Sequence, residues 1–337
     1  MKPLVLLCEK IKNRLGTYSL NIIQSIKNAH LKNWGESIIN LIIRFWRHTV
    51  VVLGIILLLY YPIGGLLINK IDDNSNLNVI NKTGEINSIN AVIKLINREV
   101  EQNVWTANQP FFFPAAILDN MPAYQTGIIS ALADFIDIWN FLDDSSENLA
   151  RASDFLKYPS NIWIIDFSKS WLPLASTNKQ YRNASQELVF YNSYIAQNGL
   201  PFILKSSTLK TILQQINNHL LAAVSDIQNQ ITSGSKKIID FDSDNVFYYG
   251  KGSCYGYYII LKELENDYIN VIKAQNIENE WQEMLDLIQE ASLLNPMIVI
   301  NAAPDASFLP SHLTAQGFYL TQSSIKINKI IQNLNDR

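Results

Sequence analysis

The chain has 337 residues, 48% of them hydrophobic and 17% charged, with a formal net charge of −3 and a mean hydropathy of +0.03. Soluble domains average about 25% charged residues, so disorder and coiled coil are both excluded, one needing low hydrophobicity and the other a charge-rich repeat. The 13 Gly and 11 Pro exclude collagen-like and low-complexity classes, and the length allows one large or two medium domains at about 100–200 residues each.

Residues 1–48 carry Lys2, Lys10, Lys12, Arg14, Lys27, Lys32, Arg44 and Arg47 against only Glu9 and Glu36. Within 11–45, Leu15, Tyr18, Ile22, Ile26 and Ala29, then Trp34, Ile38, Ile42 and Phe45, recur at spacings of three and four. That period predicts an amphipathic helix, which either lies on an anionic leaflet or extends the apolar run that follows. The run 49–68, opening on Thr49 and ending on Ile68, has no charged side chain. At about 1.5 Å per residue it matches the roughly 30 Å hydrocarbon core, so a transmembrane helix is predicted. A cleaved signal peptide is rejected because the basic region is long and no small-residue cleavage pattern follows. Basic residues resist translocation, which is expected to keep the N-terminus in the cytoplasm and the rest on the outer face of the membrane. Residues 1–70 then sum to +7 and the remainder to −10.

Residues 69–86 are polar and aperiodic, and read as a linker. The stretch 87–334 reads as a helical domain. Ile89, Val92, Ile93, Ile96 and Val100 predict a short helix capped by Asn87 or Ser88. Three prolines in 104–122 predict a structured loop or broken helix. Its Phe111, Phe112 and Phe113 cannot share one helix face. They are expected to seal a core edge, with contact to membrane or a partner as the alternative. Tyr124, Ile128, Leu132, Phe135, Trp139 and Leu142 form the next apolar stripe, and Ser145 or Ser146 starts a helix through Leu156. Residues 161–175 are ambiguous between a short strand and an irregular segment. Helices follow over 178–198, stopped by Asn198-Gly199, and from Leu209 to near Gly234. After an acidic turn at 236–245, the Gly- and Tyr-rich run from Val246 to Leu261 reads as a closely packed helix. Trp281, Met284, Leu285 and Ile288 mark another, and a last one begins near Ser311. The expected fold is all-α: a single transmembrane helix, then a bundle of about seven or eight helices.

Chemical motifs are sparse. Cys8 and Cys254 fall on opposite sides of the apolar run and cannot pair, and Cys254 among aromatics reads as a buried small hydrophobe. No zinc, calcium or cofactor pattern is present, so no metal or cofactor is expected. Gly250-Lys251-Gly252-Ser253 lacks the Walker spacing, so no nucleotide is expected, and an acidic outer domain argues against nucleic acid. The binding candidates are Asp119, Asn120, Asp305 and His312, polar residues beside prolines in predicted loops, together with Gln125, which lies inside the helix predicted from Ala123. Capping of the helices that start near Ala123 and Ser311 is the favoured explanation of the loop residues, and alone accounts for Asp and Asn there. Eight carboxylates, Asp134 among them, are plentiful enough for a glycosidase pair, but no separation can be read from sequence.

These residues bear a resemblance. YYPIGG with Asp72-Asp73, INREV at 96–100, PFFFPAAILDNMP at 110–122 with Gln125 and Gly127, Gln180-Tyr181-Arg182, DNVFYYGKG at 244–252, NAAPD at 301–305 and HLTAQGFYL at 312–320 carry it. The chain resembles the bacterial membrane-anchored family of domain of unknown function 2333, in its alphaproteobacterial form, over roughly 50–331. The resemblance implies a single-pass inner-membrane protein with a helical periplasmic domain. It assigns no catalytic residue, and the long N-terminal extension departs from the family pattern. The expected function is binding of a protein or cell-wall partner next to the lipid bilayer. The alternative is a periplasmic hydrolase of cell-wall glycan or peptide using Asp119, Asp305 or His312.

Overall fold

The structure, a computed structural model, describes residues 50–165, 171–200, 204–234, 241–296, 299–301 and 311–334, together with positions 20, 21, 24, 25, 27, 38 and 46. Asp305 and Thr49 lie outside the described residues. The chain divides into two units, Met1–Pro62 and Ile63–Arg337. In the first, the described positions are all helical, and Leu20, Ile38 and Trp46 are exposed. Helix α1 (Val50–Ile68) is the one helix among the described residues long and apolar enough to cross a membrane. Almost none of it is buried, whereas a core helix of the same composition would be covered.

The second unit is all-helical among its described residues. Its elements are α2 (Asn87–Asn97), a π-helical turn (Arg98–Gln102), a 3₁₀ turn (Pro114–Ile117), α3 (Asn120–Leu142), α4 (Glu147–Leu156), α5 (Thr177–Asn198), α6 (Ser206–Gly234), α7 (Phe241–Asp267), α8 (Ile269–Gln275), α9 (Glu278–Leu293) and α10 (His312–Asn333). An isolated antiparallel bridge joins Asn301 to Ser311. Nine α-helices therefore follow α1 among the described residues, where the sequence predicts seven or eight. The short α8 is the one not anticipated, and α7 begins at Phe241, inside the expected acidic turn.

The crossing of α3 and α7 is the spine of this unit. A Cβ on Gly127 would stand 2.9 Å from the carbonyl carbon of Tyr249, and one on Gly252 would stand 2.8 Å from that of Tyr124. Reciprocal glycines thus let two backbones meet, which explains why a helix tolerates them despite their propensity cost. On one side α6, α9 and α10 pack together and onto α7; on the other, α2, α4 and α5 do so around α3 and α7. The buried Phe135, Trp139, Tyr191, Phe247 and Trp281 fill the space between.

Several helix ends follow the sequence. Ser146 Oγ accepts from Leu149 N at 3.3 Å and Ser311 Oγ from Thr314 N at 3.3 Å, while α5 stops at Gly199 with φ +79°. The start of α2 does not. Its first amides, Asn87 N and Ser88 N, donate to the Asp267 carboxylate at 2.8 and 2.9 Å, so the cap comes from the far end of α7. Burial pushes the Asp267 carboxyl up to about 6 despite those bonds.

Residues 69–86 have little regular structure, yet they are strapped to the bundle. Tyr124 and Tyr255 donate their hydroxyls to the carbonyls of Asp72 and Asn74, each at 2.8 Å, and Lys262 Nζ donates to that of Ser75 at 3.1 Å. Lys251, fully buried, donates to Asp73 Oδ2 at 2.6 Å and to the Leu294 carbonyl at 2.9 Å. The Gly250 to Ser253 segment is therefore mid-helix and its lysine is committed to the strap. Phe111, Phe112 and Phe113 are 83%, 45% and 41% exposed, so they do not seal a core edge.

Candidate functional site

A recess in the helical unit opens between α3, α6 and α7. It has a deeper part of about 190 Å³ and a more open mouth of about 560 Å³, and the two share Asp226, Val246 and Tyr249. Together they fall in the size range of small-ligand clefts, about 300–1,000 Å³. The arrangement follows from helical spacing: Ser130 and Asp134 lie four apart on α3, and His219 and Asp226 lie seven apart on α6. Each pair faces the cleft while the apolar stripe of its helix faces the core.

In the deeper part, His219 Nδ1 stands 3.1 Å from Asp134 Oδ2, which also accepts the Tyr257 hydroxyl at 2.8 Å. Burial raises the Asp134 carboxyl above the usual range, and the Tyr257 hydrogen bond opposes that shift. Tyr257 is itself pushed well above its ordinary value by burial, so it remains a donor. With Nδ1 turned to Asp134, the His219 Nε2 is the nitrogen left for other chemistry. Tyr249 and Ser130 pair their hydroxyls at 2.8 Å on the same wall. At the mouth, Asp119 and Asp226 are exposed. Asp244, in the first turn of α7, is raised to about 6, first by burial and then by the charge of Asp119. The charged side chains that line the cleft among the described residues are thus carboxylates, with His219 beside one of them.

Of the binding candidates named from sequence that fall among the described residues, Asp119 alone lines this cleft, while Asp134, Gly250, Ser253 and Cys254 line its deeper part. Asp119 also occupies the cap position of α3, where its carboxylate accepts from Asn120 N at 2.9 Å. The Asn120 side chain, half-buried, leaves its oxygen without a hydrogen bond. Gln125 is fully buried, accepting from Thr106 N and Oγ1 at 3.0 and 2.8 Å and donating to Glu99 Oε2 at 3.1 Å. Every group of its amide is spent inside the domain. His312 sits in the first turn of α10, where Nδ1 accepts from Ile300 N at 3.0 Å and burial pulls its titration below the ordinary range. The structure does not bring Gln125 or His312 to the cleft. Cys254 is buried and its thiol is pushed up to about 12 by burial.

The residues that sequence reasoning passed over are His219, Asp226, Tyr249 and Tyr257, with Asp134 present only as one of many carboxylates. Their one local signal is a polar residue interrupting an apolar helix at three- or four-residue spacing. Among the described residues, no group of three or more His, Cys, Asp or Glu side chains is placed to hold a metal ion. No family model, no curated protein and no solved structure matches the chain.

Proposed function

We propose that this is a single-pass protein of the bacterial inner membrane whose periplasmic helical domain binds a partner through a primary amine. That partner is a cell-wall peptide or a protein segment. One observation carries the binding reading: Asp134 is held between Tyr257 and His219 on the floor of a cleft whose other charged lining, Asp119 and Asp226, is acidic. A cation entering the cleft would meet carboxylates already oriented by neighbours, which lowers the ordering cost of binding. Placement is supported by α1, apolar on all sides, and by the charge split of +7 over residues 1–70 against −10 beyond. Membership of the family named above is part of the proposal and rests on the quoted motifs.

Calorimetric titration of the detergent-solubilised full chain with a lysine-containing stem peptide tests the reading. Acetylating the side-chain amine, or changing Asp134→Asn, is expected to weaken binding about tenfold, one charge-assisted hydrogen bond at roughly 1.5 kcal/mol. Equal affinity in all three titrations overturns it.

A second reading is favoured by the same pair. An Asp–His hydrogen bond at Nδ1 leaves Nε2 as a general base for water, as in a hydrolase acting on cell-wall peptide or glycan. Release of soluble fragments from purified wall by the full chain, abolished by His219→Gln, would favour this reading over simple binding.

A further inference from the structure

The final residues of α1 carry two different faces. Ile63, Leu66 and Leu67 are 50%, 77% and 69% exposed, while Gly64 and Gly65 turn inward. A Cβ on Gly64 would lie 2.5 Å from the ring of Pro114, and one on Gly65 would lie 3.3 Å from Ile117 Cδ1. The 111–117 segment is therefore fastened to the end of the apolar helix, and Gly64 is needed for the approach, while Gly65 only eases it.

That segment does not stand alone. Phe112 meets Phe111 edge-on at 5.4 Å, Phe113 at a tilt at 5.2 Å, and Trp163 edge-on at 5.7 Å. Leu174 N donates to the Ile164 carbonyl at 2.9 Å, which brings in the neighbouring Trp171 and Leu172, 87% and 74% exposed. The loop at the foot of α1 thus presents large apolar rings on the surface, and Phe112 joins it to Trp163 in a second loop, which also exposes Trp171. Exposed apolar patches of this kind mark a contact surface.

We infer that these rings form an apron that inserts into the interfacial layer of the bilayer spanned by α1, and seats the helical domain on the membrane surface. The occupant is lipid, because the loop is fastened to the last turn of α1, the helix apolar enough to cross a membrane, whose Ile63, Leu66 and Leu67 are exposed. Aromatic rings also favour the headgroup boundary, where their apolar bodies are buried and their edges stay near water. Seating the domain limits how far the cleft can swing from the membrane. The inference rests on the membrane-anchored reading given above.

Single cysteines are introduced at Phe111, Trp171, Phe318 and Leu58 in the full chain with Cys8→Ser, and each carries an environment-sensitive fluorophore. Cys254 stays unlabelled because it is buried and its thiol protonated. The protein is reconstituted in phosphatidylethanolamine–phosphatidylglycerol vesicles containing lipid with a nitroxide near the headgroup end of its acyl chains. Labels at 111 and 171 are expected to shift to the blue and be quenched severalfold more than the label at 318 on α10. Water-like emission at 111 and 171, or equal quenching at 318, overturns the apron. The label at 58, on α1, separates the two claims. Quenching there without quenching at 111 and 171 leaves the anchor standing and removes the apron, whereas loss at 58 removes both. A blue shift at 111 and 171 without nitroxide quenching identifies a protein contact instead, and also overturns the inference.

Discussion

Gly127→Ala is the sharpest probe of the fold that holds the cleft. The added methyl would overlap the Tyr249 carbonyl oxygen, come within 2.9 Å of its carbon and within 3.0 Å of Ser253 N. All three are backbone atoms in the middle of α7, so no side chain can rotate away and the helices must separate. An alanine in a helix ordinarily gains about 1 kcal/mol over glycine. Overpacking costs about 1–3 kcal/mol and more where backbone must move; at about 3–4 kcal/mol here, less the roughly 1 kcal/mol gain, a net loss of about 2–3 kcal/mol is expected. For a domain of this size each kcal/mol shifts the melting midpoint by about 2–4 °C, giving a fall of roughly 4–12 °C. Thermal unfolding of the full chain in one detergent, followed by circular dichroism, reads it. Gly317→Ala is the internal control, since its methyl would meet only Ile227 Cγ2 at an ordinary 3.4 Å. It should hold or raise the midpoint. A Gly127→Ala midpoint equal to that of wild type would refute the close-crossing account.

Asp73→Asn should destabilise the domain by about 3 kcal/mol, because it leaves the buried Lys251 ammonium without its counter-charge. Adding Lys251→Met to that variant should recover part of the loss, and a denaturant double-mutant cycle reads the coupling. Asp244 sets a pH dependence. Folded, it keeps its proton to about 6, against an ordinary value of 3.8, so between those values the folded state binds more protons and stability falls as pH rises. Asp244→Asn should flatten that slope and, after discounting for solvent screening, add about 1 kcal/mol at neutral pH, read by unfolding at a series of pH values. Asp267→Asn should instead destabilise α2, since its amide offers one acceptor where Asn87 N, Ser88 N and Ser88 Oγ now use two. A lower midpoint together with faster hydrogen exchange in 87–97 would show it.

What was legible in the sequence was local. Apolar stripes at three- and four-residue spacing located α3, α5, α6, α9 and α10, and Ser146, Ser311 and Gly199 marked ends because a hydroxyl or a left-handed residue caps a helix within a few positions. What was not legible joins distant positions. The cap of α2 is Asp267, 180 residues away. The strap 69–86 gives a linker's composition because its carbonyls are gripped by Tyr124, Tyr255 and Lys262, and a backbone acceptor leaves no trace in residue type. The three phenylalanines pointed to a core edge, and their exposure reverses that. In the cleft, Asp119 was visible beside Pro122. The Asp134–His219 contact required knowing that α3 and α6 face each other across α7.

The central claim, that the cleft grips an amine-bearing partner beside the membrane, is tested most directly by purifying the full chain from gently solubilised membranes. Wild type is compared with the variant carrying Asp134→Asn and Asp226→Asn. The account predicts a wall peptide or protein retained by wild type, released by side-chain acetylation and missing from the double variant, while that variant keeps its melting midpoint. Recovery of the same material with both chains, at unchanged amount, would contradict it.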